Sequence, residues 1–208
     1  MNNFSFLILA GGYGVRLGNI DKGLIQLGFQ TLLERIINTG NQLSAEIIIS
    51  FRDENQKQVY ANNISHFLNI NKIVFDKREG IGPLEGIFQG AKIASSKYIF
   101  ITAVDMPFIN KNVIELICKY AQNYDAVIPI WENGRLEPLH SVYRTNILIK
   151  ESDRSIKRGE RYVIAPIRNF ENIFYLDTNI IRSIDPELKS FTNINTHKDL
   201  MKAKNIFK

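Results

Sequence analysis

Along this chain, short unbroken hydrophobic runs alternate with stretches whose apolar residues recur at helical spacing. Phe4 to Ala10 is a continuous apolar run ending in Gly11-Gly12, the pattern of a buried parallel strand that delivers the chain into a glycine loop. Thr31 followed by Glu34 is a capping-box signature, and Leu33, Ile36 and Ile37 supply the buried stripe of a first helix. Ala45 to Phe51 predicts a second strand, a polar stretch of helical character follows, and Ile70 to Phe75 predicts a third strand. Gly82-Pro83 then opens a helix, with proline at the first helical position and Leu84, Ile87, Phe88 and Ala91 at helical spacing. Tyr98 to Val104 is the clearest strand. It ends at Asp105-Met106-Pro107, and Asn110 is placed to cap a helix carrying Val113, Ile114, Ile117 and Ala121.

Beyond that point the alternation loosens. Ala126 to Trp131 predicts a strand, Asn133-Gly134 a turn, and Leu136 to Tyr143 an extended segment, with Pro129 and Pro138 suggesting sheet edges or bulges. Ile147 to Gly159 is a weak helix, Ile173 to Leu176 a short strand, and Thr196 with Asp199 caps a last helix displaying Leu200, Ala203 and Phe207. Alternating strands and helices imply an α/β protein with a mostly parallel sheet covered on both faces. Ligands in such sheets sit beyond the C-terminal strand ends. Gly11-Gly12 and Asp105 open onto one edge if the first and fourth strands are neighbours or nearly so.

Composition narrows the function classes. With 208 residues, 45% of them hydrophobic and 23% charged, the chain is globular, and neither disorder nor a fibrous architecture fits. No apolar run is long enough to span a membrane, and no basic segment with a signal-like core opens the chain, so a soluble, cytoplasmic protein is expected. The lone Cys118 excludes an internal disulfide and zinc sites built on several thiolates. A formal charge of +5 favours anionic ligands, but basic residues are spread out with no interleaved aromatics, so nucleic acid is not an expected partner.

The segment from Leu9 to Gly23 places Gly11, Gly12, Gly14 and Gly18 in one loop with Arg16 and Lys22. Glycines let backbone N–H groups approach an oxyanion, and the cations add charge-assisted hydrogen bonds, so the loop suits phosphate. It is not a Walker A loop, since no Gly-Lys-Ser or Gly-Lys-Thr occurs. Nor is it the dinucleotide fingerprint, because Leu17 stands where the third glycine belongs.

The string does resemble the signature of nucleotidyltransferases with a Rossmann-like domain, and among them the molybdenum cofactor guanylyltransferases: Leu-Ala-Gly-Gly, three variable residues, Arg, an apolar residue, Gly, and then Asp21-Lys22-Gly23. Further stretches agree in order: Gly82-Pro83-Leu84-Glu85-Gly86-Ile87, Asp105-Met106-Pro107-Phe108, Glu137-Pro138-Leu139, and Asn193-Ile194-Asn195-Thr196 followed by Asp199-Leu200. The resemblance implies a three-layer α/β/α sandwich in a single domain, 1–208, with a nucleotide-binding half to about residue 110 and an acceptor-binding half beyond it. It implies GTP and molybdopterin as substrates, Mg²⁺ as cofactor, GMP transfer with release of pyrophosphate, and transient contact with molybdoenzymes or their chaperones. Residue by residue, Leu9 and the backbone amides of Ala10, Gly11 and Gly12, with the side chains of Arg16 and Lys22, are expected to hold the triphosphate. Asp105 is expected to hold the metal, a choice that suits the preference of Mg²⁺ for hard oxygen ligands. Asp76 is expected near ribose or base, and Asn193 and Asn195, together with the strand carrying Pro138-Leu139, at the pterin acceptor.

Other assignments stay open. Asp105 and Asp76 also suit plain turns, and Asn193 to Thr196 also suits helix entry chemistry. Arg154, Lys157, Arg158 and Arg161 form a basic cluster that reads as a solvated helix face or as a seat for the acceptor phosphate. His66, His140 and His197 read as surface or structural residues. Guanine-specific members commonly place Asn after the second strand's apolar run, whereas this chain has Ser50, which is expected at the nucleotide with its hydroxyl in place of part of the amide's pairing. Base identity is therefore open; the alternatives are a CTP-dependent or sugar-phosphate nucleotidyltransferase and a noncatalytic nucleotide-binding or pterin-binding adaptor.

Overall fold

The apolar run at the start of the chain forms β1, Ser5–Leu9, and its alternate residues feed two different cores. This computed structural model describes residues 4–12, 18, 20–43, 46–64, 70 and 72–207. The other strands are β2 (Gln26–Leu27), β3 (Gln30–Thr31), β4 (Glu46–Phe51), β5 (Lys72–Phe75), β6 (Tyr98–Ala103), β7 (Ala126–Ile130), β8 (His140–Arg144) and β9 (Ile173–Asp177). Seven of them make one sheet in the order β5-β4-β1-β6-β8-β7-β9, while β2 and β3 form a separate two-stranded hairpin. β5, β4, β1 and β6 run parallel; β8 alone is reversed, being antiparallel to both β6 and β7. The first and fourth predicted strands are direct neighbours, paired from Ser5↔Ile99 to Leu9↔Ala103.

The helices are α1 (Leu32–Asn41), α2 (Glu54–Asn63), α3 (Pro83–Ile93), α4 (Lys111–Lys119), α5 (Thr145–Lys157), α6 (Ile164–Ile167), α7 (Thr178–Ile181) and α8 (His197–Ile206). Phe6 and Ile8 of β1 pack on one face with Leu33, Ile36, Tyr60, Val113 and Ile117, drawn from α1, α2 and α4. Leu7 packs on the other face in a core with Ile87, Ala91, Leu148 and Ile167, from α3, α5 and α6. The result is a three-layer α/β/α sandwich with a mostly parallel sheet. Both capping boxes form: Glu34 N–H donates to Thr31 Oγ1 at 3.2 Å, and Asp199 N–H donates to Thr196 Oγ1 at 3.2 Å.

Pro129 lies inside the sheet. Its strand pairs with β8 only through Ala126 and Val127, so the proline sits where that ladder has already ended and no N–H is required. The run from Leu136 to Tyr143 is not one strand. Leu136 makes an isolated bridge to Ile130, Pro138 interrupts, and β8 begins at His140.

Candidate active site

Four parallel strands deliver their exits to one edge. β1 leads into Gly11 and Gly12, β4 into Arg52 and Asp53, β5 into Asp76, and β6 into Asp105. These residues line a cleft of about 930 Å³, closed on the far side by Glu137, Pro138 and Leu139 and by Asn193 and Asn195. Of the residues singled out from sequence, Leu9, Gly11, Gly12, Lys22, Ser50, Asp76, Asp105, Asn193 and Asn195 all meet there. Arg16 and His66 lie outside the described residues. Ala10 corrects an expectation: it is buried, its N–H donates to the Ser50 carbonyl at 2.9 Å, and its carbonyl accepts from Gln56 Nε2 at 3.0 Å. That amide is taken up by the sheet, whereas Gly11 and Gly12 line the cleft.

At the centre of the cleft, Lys22 Nζ donates to Asp105 Oδ2 and to Asn195 Oδ1, both at 2.8 Å. The Lys22 and Asp105 side chains are only 18% and 17% exposed, so the pair is shielded from the screening that makes surface ion pairs weak. Asn195, expected on the acceptor side, thus has its side-chain oxygen on the same ammonium as Asp105. The backbone reinforces this junction, because Ile194 N–H donates to the Asp105 carbonyl at 2.9 Å and Asn195 N–H donates to Asp199 at 3.2 Å.

Further residues shape the site: Gln56, which drew no notice in the sequence, and Gly23, Glu85 and Gly86, which stood there only inside matched strings without a role of their own. Gln56, buried on α2, donates to Asp21 Oδ1 at 2.7 Å as well as to the Ala10 carbonyl, and its Oε1 accepts from Arg52 N–H at 2.8 Å. One amide side chain therefore clamps the β1 exit, the β4 exit and the segment that carries Lys22. Gly23, next to Lys22, must be glycine: an added Cβ would lie 2.6 Å from Tyr60 Cε1 and 2.8 Å from Val104 Cγ2. Its N–H donates to Tyr60 Oη at 3.1 Å. Gly86 of α3 has a similar reason, since a Cβ there would lie 2.5 Å from Ser50 Oγ. Glu85, fully buried, accepts from Arg78 Nε at 2.9 Å, Gln89 Nε2 at 2.7 Å and Lys77 N–H at 3.3 Å, and so fastens the cleft-lining loop after Asp76. Gln56 on the polar helix α2 and Glu85 on the buried helix α3 leave no periodic signal of their own, and their partners reveal them.

Burial, with the nearby Glu85 charge, pushes the Asp76 carboxyl up to about 6. The Arg154, Lys157 and Arg158 side chains pair with Glu151, Asp153 and Glu160 at 2.8, 2.6 and 3.0 Å on and just beyond α5, and no member of that cluster is among the cleft-lining residues. His140 is fully buried between the rings of Phe100 and Phe191, with centroids at 5.1 and 5.3 Å. Burial lowers it to about 3, which keeps it neutral and structural.

Among the described residues no three His, Cys, Asp or Glu side chains converge on a metal position. Mg²⁺, however, is ordinarily held by one or two protein oxygens together with substrate phosphates. Asp105 Oδ2 and Asn195 Oδ1 already share a cation, the Lys22 ammonium, so this donor set fits an ion that arrives with a nucleotide.

The MobA-like NTP transferase domain family matches residues 6–171. A probable molybdenum cofactor guanylyltransferase of Methanosarcina mazei is 38% identical over 197 residues, spanning 94% of this chain and 88% of that protein. The molybdenum cofactor guanylyltransferase of Desulfosudis oleivorans is 32% identical over 208 residues, spanning 98% and 95%. The crystal structure of molybdopterin-guanine dinucleotide biosynthesis protein A from Archaeoglobus fulgidus superposes with a TM-score of 0.81 at 28% identity, covering 98% of each chain. At 17% identity and a TM-score of 0.67, the 2-C-methyl-D-erythritol 4-phosphate cytidylyltransferase of Thermus thermophilus shares the fold. The chain belongs to the MobA-like NTP transferase domain family.

Proposed function

We propose that this chain is a Mg²⁺-dependent guanylyltransferase that moves GMP from GTP to the terminal phosphate of molybdopterin, with or without metal already inserted, and releases pyrophosphate. The observation that carries the reading is the order of residues along one sheet edge. Ser50 and Asp76 stand at the β4 and β5 exits, Gly11, Gly12, Lys22 and Asp105 at the β1 and β6 exits, and Glu137 to Leu139 ahead of β8. A nucleoside on the first group, its phosphates over the second and an acceptor against the third form a line suited to an in-line displacement. The names of the relatives supply guanine and the molybdenum cofactor as base and acceptor.

In this reaction an acceptor phosphate oxygen bonds to the α-phosphorus of GTP while the bond from that phosphorus to the β-phosphate bridge breaks. No covalent enzyme intermediate forms. The nucleophile is anionic at neutral pH, since a phosphate monoester has a second pKa of roughly 6, and a general base is unnecessary. Lys22 and the Gly11 and Gly12 amides act by positioning and by stabilising charge on the nonbridging oxygens. Asp105 and Asn195 would hold the divalent ion, which when bound supplies charge neutralisation at the phosphates. With α-labelled GTP, Mg²⁺ and molybdopterin, the protein is expected to give guanylated pterin and stoichiometric pyrophosphate. Preference for CTP, or nucleotide binding without pyrophosphate release, would overturn the assignment.

A further inference from the structure

On the acceptor side of the cleft one carboxylate is held in place with half of its hydrogen-bonding capacity unused. Glu137 Oε1 accepts from Trp131 Nε1 at 2.6 Å and pairs with Arg135 Nη2 at 2.9 Å. Oε2 has no partner among the described residues and is not sealed from solvent, and the side chain lines the cleft at 15% exposure. The backbone here is fixed on both sides. Glu137 N–H donates to the Pro129 carbonyl at 3.0 Å, and the Glu137 carbonyl accepts from His140 N–H at 3.0 Å and Ser141 Oγ at 2.7 Å. Burial raises this carboxyl, an effect the indole and guanidinium partners only partly oppose, so an additional donor on Oε2 would be favourable. Pro138 and Leu139 extend an apolar surface beside it, suited to the face of a flat ring.

A half-buried acceptor beside an apolar wall selects a planar heterocycle with N–H groups on its edge. A 2-amino-4-oxopyrimidine edge, with an exocyclic amine next to a ring N–H, is such a ligand, and both guanine and pterin carry it. Position separates the two sources. Glu137 precedes β8, whereas Ser50 belongs to β4, and the order β4-β1-β6-β8 sets those strands three spacings apart, roughly 14 Å. Resting on the function proposed above, we propose that Glu137 reads the aminopyrimidone edge of the pterin acceptor through Oε2 and thereby determines acceptor specificity.

Glu137→Gln is the informative variant. Trp131 donates to Oε1 and the Arg135 guanidinium pairs with it, so the amide oxygen stays on them and the amino group takes the cleft-facing position, exchanging an acceptor for a donor with little change of shape. Fluorescence titration with 6-hydroxymethylpterin and with its 2,4-dioxo counterpart, which has a carbonyl in place of the amine, reads the contact directly. The native protein is expected to favour the amino compound by about tenfold, and Glu137→Gln to reverse that preference. The KM for molybdopterin is expected to rise about tenfold in the variant, with the KM for GTP within about twofold of native. Unchanged preference in Glu137→Gln, or no preference in the native protein, a result that needs no variant, overturns the proposal. A shift confined to the KM for GTP would assign the carboxylate to guanine and also overturn it. Native protein that transfers no nucleotide to molybdopterin removes the underlying function as well, whereas normal transfer with unchanged preference removes only the role of Glu137.

Discussion

At the N-terminal edge of the sheet Glu46 opens β4 and is surrounded by donors: Ser5 Oγ, Lys72 Nζ, and the N–H and Oγ of Ser95 at 2.9 and 2.8 Å. At the C-terminal edge Asp76 follows β5, and its carboxylate has no hydrogen bond to a described residue. Burial raises both carboxyls, but at Glu46 the Lys72, Ser5 and Ser95 bonds outweigh it and bring the group down to about 2, whereas Asp76 is left at about 6. One carboxylate strengthens the scaffold and the other burdens it. The same strands thus end in a satisfied floor and in a rim that keeps acceptors in reserve for a ligand.

The largest effect expected at the rim is catalytic. Lys22→Ala or Asp105→Ala is expected to lower turnover per folded molecule at least about 10²-fold, the scale of losing one preorganised charge stabiliser. Rates near native in both variants would break the contrast at its functional end. At the floor the expectation is the reverse: Glu46→Gln leaves turnover per folded molecule unchanged and lowers stability by about 2 kcal/mol at neutral pH, read by denaturant unfolding. Because the folded-state value of Glu46 lies below its ordinary 4.5, its contribution is complete above pH 4.5 and disappears as the pH falls toward 2. Native and Glu46→Gln proteins should therefore converge in stability across that window, and parallel curves would contradict the assignment.

Asp76 carries the opposite sign. Its folded-state value is raised from 3.8 to about 6, so ionisation of this group weakens the fold as the pH rises through 6. Asp76→Asn is expected to raise the melting temperature at pH 7.5 by a few degrees while weakening GTP binding. In the native protein kcat/KM for GTP should rise across pH 6 more steeply than in Asp76→Asn, where only the titration of the substrate phosphates, roughly 6, remains. The smallest effect is assigned to Gln56→Ala, which removes the clamp on Ala10 and Asp21 and is expected to raise the KM for GTP a few-fold through misplacement of Lys22.

The rim was more legible in the sequence than the floor. Apolar runs located β1, β4, β5, β6, β7 and β9; the glycines with Lys22 and Asp105 stood out at strand exits, and Asn195 was singled out through the family resemblance. The hairpin of β2 and β3 escaped because strands of two residues are too short to show a period, and α6 and α7 because a single turn is. The reversal of β8 escaped because an apolar run does not encode strand direction. Glu46 and Gln56 escaped, and Glu85 and Glu137 stood only inside matched strings without a role, for one physical reason: the meaning of each polar residue lies in its three-dimensional partners. Ala10 shows the converse, a residue within the motif whose amide is engaged by the sheet.

A crystal structure with Mg²⁺ and a nonhydrolysable GTP analogue tests the central arrangement most directly. The account predicts the triphosphate over the Gly11 and Gly12 amides, the ion on Asp105 and Asn195, Lys22 transferred from Asp105 to a phosphate oxygen, and the base beside Ser50 and Asp76. A base seated against Glu137, or phosphates bound away from the β1 and β6 exits, would contradict it.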